Sequence, residues 1–332
     1  MSGPEDTPPA AGGGPAEDAP PDEFEQIARL YRPLTRGAPE ALDLLDDAAV
    51  IPQRPGYDLV VTKDAVVEGV HFPRGEGPDL IARKLLRVNL SDLAAKGAEP
   101  WGYFLSISWP RGTGWSARQA FARGLAEDGE AFGLSLLGGD TTSTDGPLSA
   151  SATLLGWVPA GRMVRRGGAR PGDLLMASGP IGDGWLGLKA ALGEIADREG
   201  LLAARYRLPT PRIDLRAALL AHASAAADVS DGLIADAGHI ARASGVGLRI
   251  DLDRVPLSKP ARAWLADQPD RARALAQLAS GGDDYQVVCT APPAAAGALG
   301  LPVIGEVVAE PGVLVLADGR AVAVGAGGWR HG

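Results

Sequence analysis

Residues 88–100 read Val88-Asn89-Leu90-Ser91-Asp92-Leu93-Ala94-Ala95-Lys96-Gly97-Ala98-Glu99-Pro100. The apolar residues predict a helix over 78–95, which Gly97 closes, because glycine readily adopts the left-handed conformation that ends helices. Asp92 places a carboxylate in the mainly apolar last two turns of this helix. Just beyond it, residues 103–109 alternate as a strand does. The stretch therefore predicts a helix followed directly by a strand.

Strands and helices alternate on both sides of this stretch, which predicts a mixed α/β or α+β architecture in both halves of the chain. Residues 162–172 are basic and Gly-rich and contain turn residues, so they are predicted to connect two domains. The other predicted elements are strands over 58–61, 148–158, 174–177, 247–251 and 285–290, and helices over 116–132, 185–192 and 231–243.

Residues 1–21 consist mainly of Pro, Ala, Gly and acidic residues, with almost no large apolar side chain. Such a segment cannot compensate its ordering entropy by burial, so a disordered tail is expected. Order should begin at Asp22, which can cap a helix with Glu25 three residues later. We therefore predict a tail over 1–21, an N-terminal domain over 22–158 and a C-terminal domain over 159–332.

The composition excludes several classes of protein. A formal net charge of −9 is a poor match for nucleic acid, whose recognition needs clustered Lys and Arg. The single cysteine, Cys289, lies in an apolar run and is predicted to be a buried strand residue rather than a nucleophile. No apolar run is long enough for a membrane span, and the N-terminus lacks the features of a secretory signal. A cytoplasmic location is expected.

Six motifs place an aspartate beside Gly, Ser or Thr, most of them at predicted strand ends or turns, where α/β proteins position ligand groups. If these carboxylates converge, they repel one another, and bound cations remove that repulsion. Oxygen ligands without His or Cys favour Mg²⁺ or Ca²⁺, and several such ions suit phosphoryl transfer. The motifs are Asp46-Asp47-Ala48-Ala49, Thr62-Lys63-Asp64, Asn89-Leu90-Ser91-Asp92, Gly138-Gly139-Asp140-Thr141-Thr142, Asp228-Val229-Ser230-Asp231-Gly232 and Gly281-Gly282-Asp283-Asp284-Tyr285.

Each motif also has a plainer interpretation, because Asp beside Gly, Ser or Thr commonly caps helices and forms turns. Asp231, for example, could simply cap the helix that it begins. Residues 182–187 match the Gly-x-Gly-x-x-Gly dinucleotide fingerprint, but the Trp within them and their mid-chain position favour a tight turn. His71 is interpreted as a loop histidine that could face the site.

Taken together, the motifs resemble the bacterial thiamine-monophosphate kinase family, within the superfamily that includes aminoimidazole ribonucleotide synthetase. The resemblance runs from about Phe24 to near the C-terminus, and its specificity comes from five motifs that occur in the family's order. Those motifs are residues 64–72, 88–100, 138–142, 228–233 and 281–285.

The resemblance implies a two-domain aminoimidazole ribonucleotide synthetase-like fold. The N-terminal sheet is expected to pair with that of a second subunit in a homodimer, and the C-terminal domain to pack a mixed sheet with helices. ATP and thiamine monophosphate would bind between the domains, with several Mg²⁺ ions. The γ-phosphoryl group would pass directly to the substrate phosphate, giving thiamine pyrophosphate and ADP without a covalent nucleophile.

The resemblance also implies residue roles. Arg166 suits phosphate because its guanidinium forms a fork of donors, Trp329 could stack on a cationic ring, and Asp283 could balance the thiazolium charge. The implied metal ligands are Asp47, Thr62, Asp64, Asp92, Asp140, Asp228 and Asp231, together with the Lys63 position. The implied ATP contacts are Gly139, Asp140, Arg166 and Ser230, and the implied substrate contacts are His71, Asp283 and Trp329.

Three positions depart from the family's pattern. Leu45 replaces a glycine, Asp283 replaces a glutamate, and Lys63 stands where the family has Ser or Thr beside a metal-binding aspartate. The Lys63 ammonium could replace a cation, point away while its carbonyl serves, or weaken metal binding. Two alternatives stay open. One is a sibling enzyme such as a selenophosphate synthetase, although the early residues lack the reactive Cys and Lys of that family. The other is a non-catalytic nucleotide- or thiamine-phosphate-binding protein.

Overall fold

A computed structural model describes residues 18–324 of the chain. Two β-sheets organise it, one within residues 57–159 and one within residues 174–321. The first half contains α1 (Glu23–Gln26), β1 (Tyr57–Val67), α2 (Pro78–Ala95), β2 (Glu99–Pro110), α3 (Trp115–Phe132), β3 (Ser135–Thr144) and β4 (Ser149–Pro159). The second half contains β5 (Leu174–Ala177), α4 (Asp183–Ala191), α5 (Leu201–Arg207), α6 (Arg216–His222), β6 (Ala225–Asp228), α7 (Leu233–Ser244), β7 (Gly247–Asp251), α8 (Lys259–Ala266), α9 (Arg271–Ser280), β8 (Val287–Ala291), α10 (Pro293–Leu299), β9 (Val303–Val308), β10 (Gly312–Ala317) and β11 (Arg320–Ala321).

The N-terminal sheet has the strand order β1-β4-β2-β3. Strand β4 is antiparallel to both of its neighbours, whereas β2 and β3 are parallel. Helices α2 and α3 lie on one face, where Leu85, Leu86 and Phe121 of these helices share a core with Trp109 of β2. The other face of β1 leaves Val61 56% exposed. Elsewhere in this sheet, Leu137 of β3 and Leu155 of β4 form a smaller buried cluster with Ala41, which lies in the short 3-10 helix Pro39–Leu44.

Strand β1 is longer than the predicted strand over residues 58–61. Val60 and Val66 are buried, and the residues between them alternate in burial along the strand. The motif at residues 62–64 therefore lies inside β1 rather than at a strand end, and residues 138–142 likewise lie inside β3. Both strands contain many polar side chains, so the pattern of apolar residues in the sequence does not reveal their full length.

The C-terminal sheet has the order β11-β10-β7-β9-β5-β8-β6. Strands β7 and β10 are parallel, and the remaining pairs are antiparallel, so the sheet is mixed. Its core includes Leu175, Ile240, Leu248 and Val288. Cys289 is buried on β8, which confirms its predicted position on an apolar strand.

The carboxyl end of α2 joins the two halves of the chain. Gly97 takes a φ of +71° just after the helix, in agreement with the predicted closure. The Lys96 carbonyl accepts a hydrogen bond from Val164 N at 3.2 Å, and its Nζ donates to the Ala226 carbonyl at 2.8 Å. Ser91 Oγ reaches the Tyr285 carbonyl at 3.4 Å. Helix α2 thus carries residues of the first half directly against the second.

Asp22 caps α1 as predicted, because its Oδ1 accepts from Glu25 N at 2.9 Å. Upstream, Asp18 accepts from Ser116 N at 2.8 Å and from Ser116 Oγ at 2.7 Å, at the start of α3. Asp18, which falls within the predicted tail over 1–21, therefore packs against the first half of the chain. Residues 1–17 lie outside the described part, and the domain boundaries at 22–158 and 159–332 stay predictions. Within residues 18–324, no helix is long and apolar enough to cross a membrane.

Candidate active site

Two strand residues and one helix residue form the first part of an acidic group. Thr62 and Asp64 lie two residues apart on β1, so both point to the face on which α2 packs. Thr62 Oγ1 donates to Asp92 Oδ2 at 2.5 Å. The backbone N–H of Asp64 donates to Oδ1 of the buried Asn89 at 3.0 Å. Asn89 and Asp92 are three residues apart on α2 and share one face of the helix.

The second half of the chain contributes Asp228 at the end of β6 and Asp231 in the turn that follows. Burial, together with the charges of Asp92 and Asp231, raises the pKa of Asp64 to about 6. Burial also raises the pKa of Asp228 well above its usual range, with added repulsion from Asp92, while Ser91 and Lys96 act in the opposite direction. Carboxylates from both halves of the chain therefore converge at their interface.

Asp236 on α7 holds the turn that carries Ser230 and Asp231. Its Oδ2 accepts from the backbone N–H groups of Ser230, Asp231 and Gly232 at 3.0, 3.1 and 3.2 Å. The pKa of Asp236 is raised to about 7, because burial and the charge of Asp231 outweigh the backbone donors and Arg166, which act in the opposite direction. Ligand atoms of Asp231, Asp236 and His239 lie within 4.8 Å of one another.

The plainer interpretation of Asp231 as a helix cap is wrong. Helix α7 begins at Leu233 after Gly232, and no side chain caps it. Asp236 was not predicted as a site residue, because a single carboxylate inside an amphipathic helix carries no motif. A usable signal was its spacing, since a residue four positions after Gly232 can face the free N–H groups at the start of the helix.

Lys63 lies on the opposite face of β1 from Thr62 and Asp64. Its Nζ donates to Ser151 Oγ on β4 at 3.0 Å. This geometry supports the alternative in which the Lys63 side chain points away from the carboxylates. The ammonium is therefore not placed among the carboxylates, and only its carbonyl could serve as a ligand there.

Asp47, Gly139 and Asp140 line a different part of the N-terminal half. A cavity of about 560 Å³ is bordered by Asp46, Asp47, Ser106, Gly139 and Asp140, and its lining does not include Thr62, Asp64 or Asp92. Both Asp47 and Asp140 are exposed. A Cβ atom at Gly139 would overlap the Leu105 carbonyl, so this close strand approach requires glycine. The predicted aspartate set is thus divided between two places within one chain.

The predicted substrate residues His71 and Asp283 lie near each other across the two halves. His71 Nδ1 accepts from Val67 N at 3.1 Å, and Asp283 Oδ1 accepts from the Tyr285 hydroxyl at 3.0 Å. The buried Lys84 contacts both. Burial raises the pKa of Asp236 and lowers that of Lys96, and the charge of Arg166 is close enough to oppose the first shift and add to the second. Trp329 lies outside the described residues.

The Gly-x-Gly-x-x-Gly stretch is a turn only at Gly182, which has a φ of +90°. Residues 183–187 lie in α4, so the predicted tight turn over the whole stretch is wrong. The carboxylate of Asp284 accepts from Gly182 N at 2.8 and 2.9 Å and from Gly184 N at 2.9 Å, at the start of α4. A helix N-terminus can bind an external anion. Here a carboxylate of the chain itself fills that position, so the turn is not a pyrophosphate site.

The two halves of the chain match two family models. Residues 45–158 match "AIR synthase related protein, N-terminal domain", and residues 170–317 match the corresponding C-terminal domain. The chain is therefore an AIR synthase related protein, and the two matches confirm the expected two-domain fold.

Similar proteins narrow this class. The thiamine-monophosphate kinase of Caulobacter vibrioides is 59% identical over 323 residues, covering 95% of this chain and 92% of that protein. A crystal structure of thiamine-monophosphate kinase from Stenotrophomonas maltophilia K279a is 37% identical with a TM-score of 0.79, covering 90% of this chain and 98% of that one. A structure of AaThiL complexed with AMPPCP and TMP is 32% identical with a TM-score of 0.76, covering 84% and 89%. The chain belongs to the thiamine-monophosphate kinase family.

Proposed function

We propose that this protein phosphorylates thiamine monophosphate with ATP, forming thiamine pyrophosphate and ADP. The observation that carries the proposal is the convergence of Asp64 and Asp92 with Asp228 and Asp231 at the interface of the two halves. The 59% identical relative is named a thiamine-monophosphate kinase, and the AaThiL relative was complexed with AMPPCP and TMP. Both support the same substrates for this chain.

The acidic group fits Mg²⁺. Its ligand atoms are carboxylate and hydroxyl oxygens, which this ion prefers. Burial and, after it, the neighbouring carboxylates raise the pKa values of Asp64 and Asp228, and a bound cation would offset both effects. We propose that Thr62, Asp64, Asp92, Asp228 and Asp231 hold the ions. When bound, Mg²⁺ supplies charge neutralisation for the transferred phosphoryl group.

The residues of the chain itself position the reactants. Thr62 orients Asp92, and Asp236 fixes the turn that presents Ser230 and Asp231. Arg166 is proposed to bind the phosphates of ATP, because it lies beside this turn and offers a fork of donors. Positioning of this kind accounts for a large part of catalysis in phosphoryl transfer.

No covalent intermediate is required. Burial raises the pKa of Cys289, the only cysteine, to about 12, so this thiol is not an available nucleophile. We propose direct transfer between the two bound phosphates.

The remaining predicted roles complete the proposal. His71, Asp283 and Trp329 are proposed to contact the thiamine substrate, and Gly139 with Ser230 to contact ATP. We assign Asp47 and Asp140, with the Lys63 carbonyl, as further metal ligands. A cytoplasmic homodimer that pairs the N-terminal sheets is part of the same proposal, and the exposed Val61, on the face of β1 opposite Thr62 and Asp64, supports it.

Product analysis tests the proposed reaction. Purified protein with Mg²⁺, ATP and thiamine monophosphate is expected to form thiamine pyrophosphate and ADP in equal amounts, as measured by chromatography. Binding of both substrates without turnover would favour the non-catalytic alternative. Hydrolysis or use of ATP with an acceptor other than thiamine monophosphate would favour a sibling enzyme.

Asp236→Asn should weaken the reaction without unfolding the protein. An amide oxygen is a weaker acceptor than a carboxylate, so the turn at Ser230–Gly232 is held less firmly. We expect turnover to fall about tenfold, as for the loss of one charge-assisted interaction, and the Mg²⁺ concentration for half-maximal activity to rise. Asp267→Asn, at an exposed position after α8, is the matched control. Equal Mg²⁺ dependence in both variants would contradict this role.

A further inference from the structure

We infer that Lys84 is a positioning residue that fixes the substrate side of the site by joining the His71 segment to Asp283. The inference rests on the proposed function, because it assigns the effect of Lys84 to thiamine monophosphate rather than to ATP. Neither the sequence motifs nor the acidic group uses this lysine.

Lys84 is enclosed by groups from both halves of the chain. It lies on α2 with only 3% of its surface exposed. Its Nζ donates to the His71 carbonyl at 3.0 Å and lies 3.8 Å from Asp283 Oδ1. The same atom lies 3.5 Å from the ring centroid of Tyr206, in cation–π geometry. The ammonium therefore has three partners, of which two, Asp283 and Tyr206, come from the second half.

The charge of Lys84 is tied to the substrate side. Burial lowers its pKa, and the charges of Asp283 and Glu76 act against that shift. Glu76 is already paired with Arg207 at 2.7 Å. Asp283 is the carboxylate that lies within ion-pair distance of Lys84. A buried charge is retained in a fold only when such partners compensate its desolvation.

Asp283 needs support from outside its own loop. Its φ is +59° and that of Tyr285 is +50°, and non-glycine residues adopt this left-handed conformation only when their surroundings stabilise it. Asp283 N donates to the Ser230 carbonyl at 2.8 Å, which links the loop to the turn of the acidic group. Lys84 attracts the Asp283 carboxylate from the other side, so it sets the direction in which this carboxylate faces a substrate.

The His71 carbonyl receives donors from both halves of the chain. Lys84 Nζ approaches it from α2, and the Tyr206 hydroxyl donates to it at 2.8 Å from α5. The segment that carries His71 is thereby fastened to the second half. One ammonium thus determines the separation of the two proposed substrate contacts, His71 and Asp283.

Steady-state kinetics of Lys84→Met test the inference. Methionine retains an unbranched side chain of similar length but lacks the ammonium. We expect the KM for thiamine monophosphate to rise about tenfold or more, as for the loss of a charge-assisted hydrogen bond, while kcat and the KM for ATP change less than about threefold. Lys189→Met removes a lysine that pairs with Glu194 near the surface of α4, and it should leave all three constants unchanged.

Tyr206→Phe provides a milder second variant in case Lys84→Met does not fold. It keeps the ring under the ammonium and removes only the donor to the His71 carbonyl, so a rise of about threefold in the KM for thiamine monophosphate alone is expected. Equal rises in both KM values, or an unchanged KM for thiamine monophosphate, would overturn the inference. A wild-type protein that forms no thiamine pyrophosphate would instead overturn the proposed function.

Discussion

Asp92→Asn should lower kcat at least about a hundredfold while the protein remains folded, the scale expected when a group that stabilises transition-state charge is lost. Asp92 accepts from Thr62 Oγ1 at 2.5 Å and raises the pKa of both Asp64 and Asp228. It therefore stands between the carboxylates of the two halves. The amide retains the shape and the hydrogen bond from Thr62 but loses the charge that would hold Mg²⁺.

The same variant should not be less stable in the absence of Mg²⁺. Removing one of several repelling charges relieves the repulsion on Asp64 and Asp228, so the free energy of unfolding should stay unchanged or increase. Urea denaturation without metal measures this, and product chromatography measures turnover. Asp79→Asn, in the first turn of the same helix, serves as the control. Near-normal kcat in Asp92→Asn would exclude Asp92 as a metal ligand.

Asp284→Ala should destabilise the protein by about 3 kcal/mol or more, because each buried donor left without a partner costs roughly 1–3 kcal/mol. The carboxylate of Asp284 accepts from Gly182 N and Gly184 N, and alanine would leave both N–H groups unpaired. Burial raises the pKa of Asp284 to about 7, and these two donors act against the shift. The interaction therefore compensates a large desolvation cost.

The loss should appear as a lower urea midpoint in metal-free protein. Asp284→Asn retains one acceptor oxygen and should lose less stability than Asp284→Ala. Asp267→Ala, at an exposed position, should unfold at the wild-type urea concentration. If Asp284→Ala did so as well, the start of α4 would not depend on this carboxylate.

Local pattern predicted much of the fold. The strands Leu174–Ala177 and Gly247–Asp251 and the helix Pro78–Ala95 have the predicted bounds, because turn residues or a closing glycine mark their ends. Strand β1 extends beyond its prediction because polar residues alternate along it with apolar ones. Strands β3, β6, β9, β10 and β11 were not predicted.

The arrangement of the site depends on contacts that local pattern does not contain. Asp92 influences Asp228 although the two belong to different halves of the chain, and only tertiary packing of α2 brings them together. Spacing likewise gave no sign that Asp140 lines a separate cavity. The side of β1 to which Lys63 points does follow from simple alternation, since Thr62 and Asp64 share the other face. Metal-ligand roles within both groups stay predictions.

Helix α2 fixes the distance between the acidic group and the proposed substrate contacts. Asp92 of the acidic group and Lys84 of the substrate side are both on it, eight residues apart, which corresponds to a rise of about 12 Å along a rigid rod. Inserting one residue between them would lengthen that distance by about 1.5 Å and turn the two side chains about 100° relative to each other. The distance between the proposed metal site and the proposed substrate contacts is thus set by the backbone hydrogen bonds of one helix rather than by either side chain.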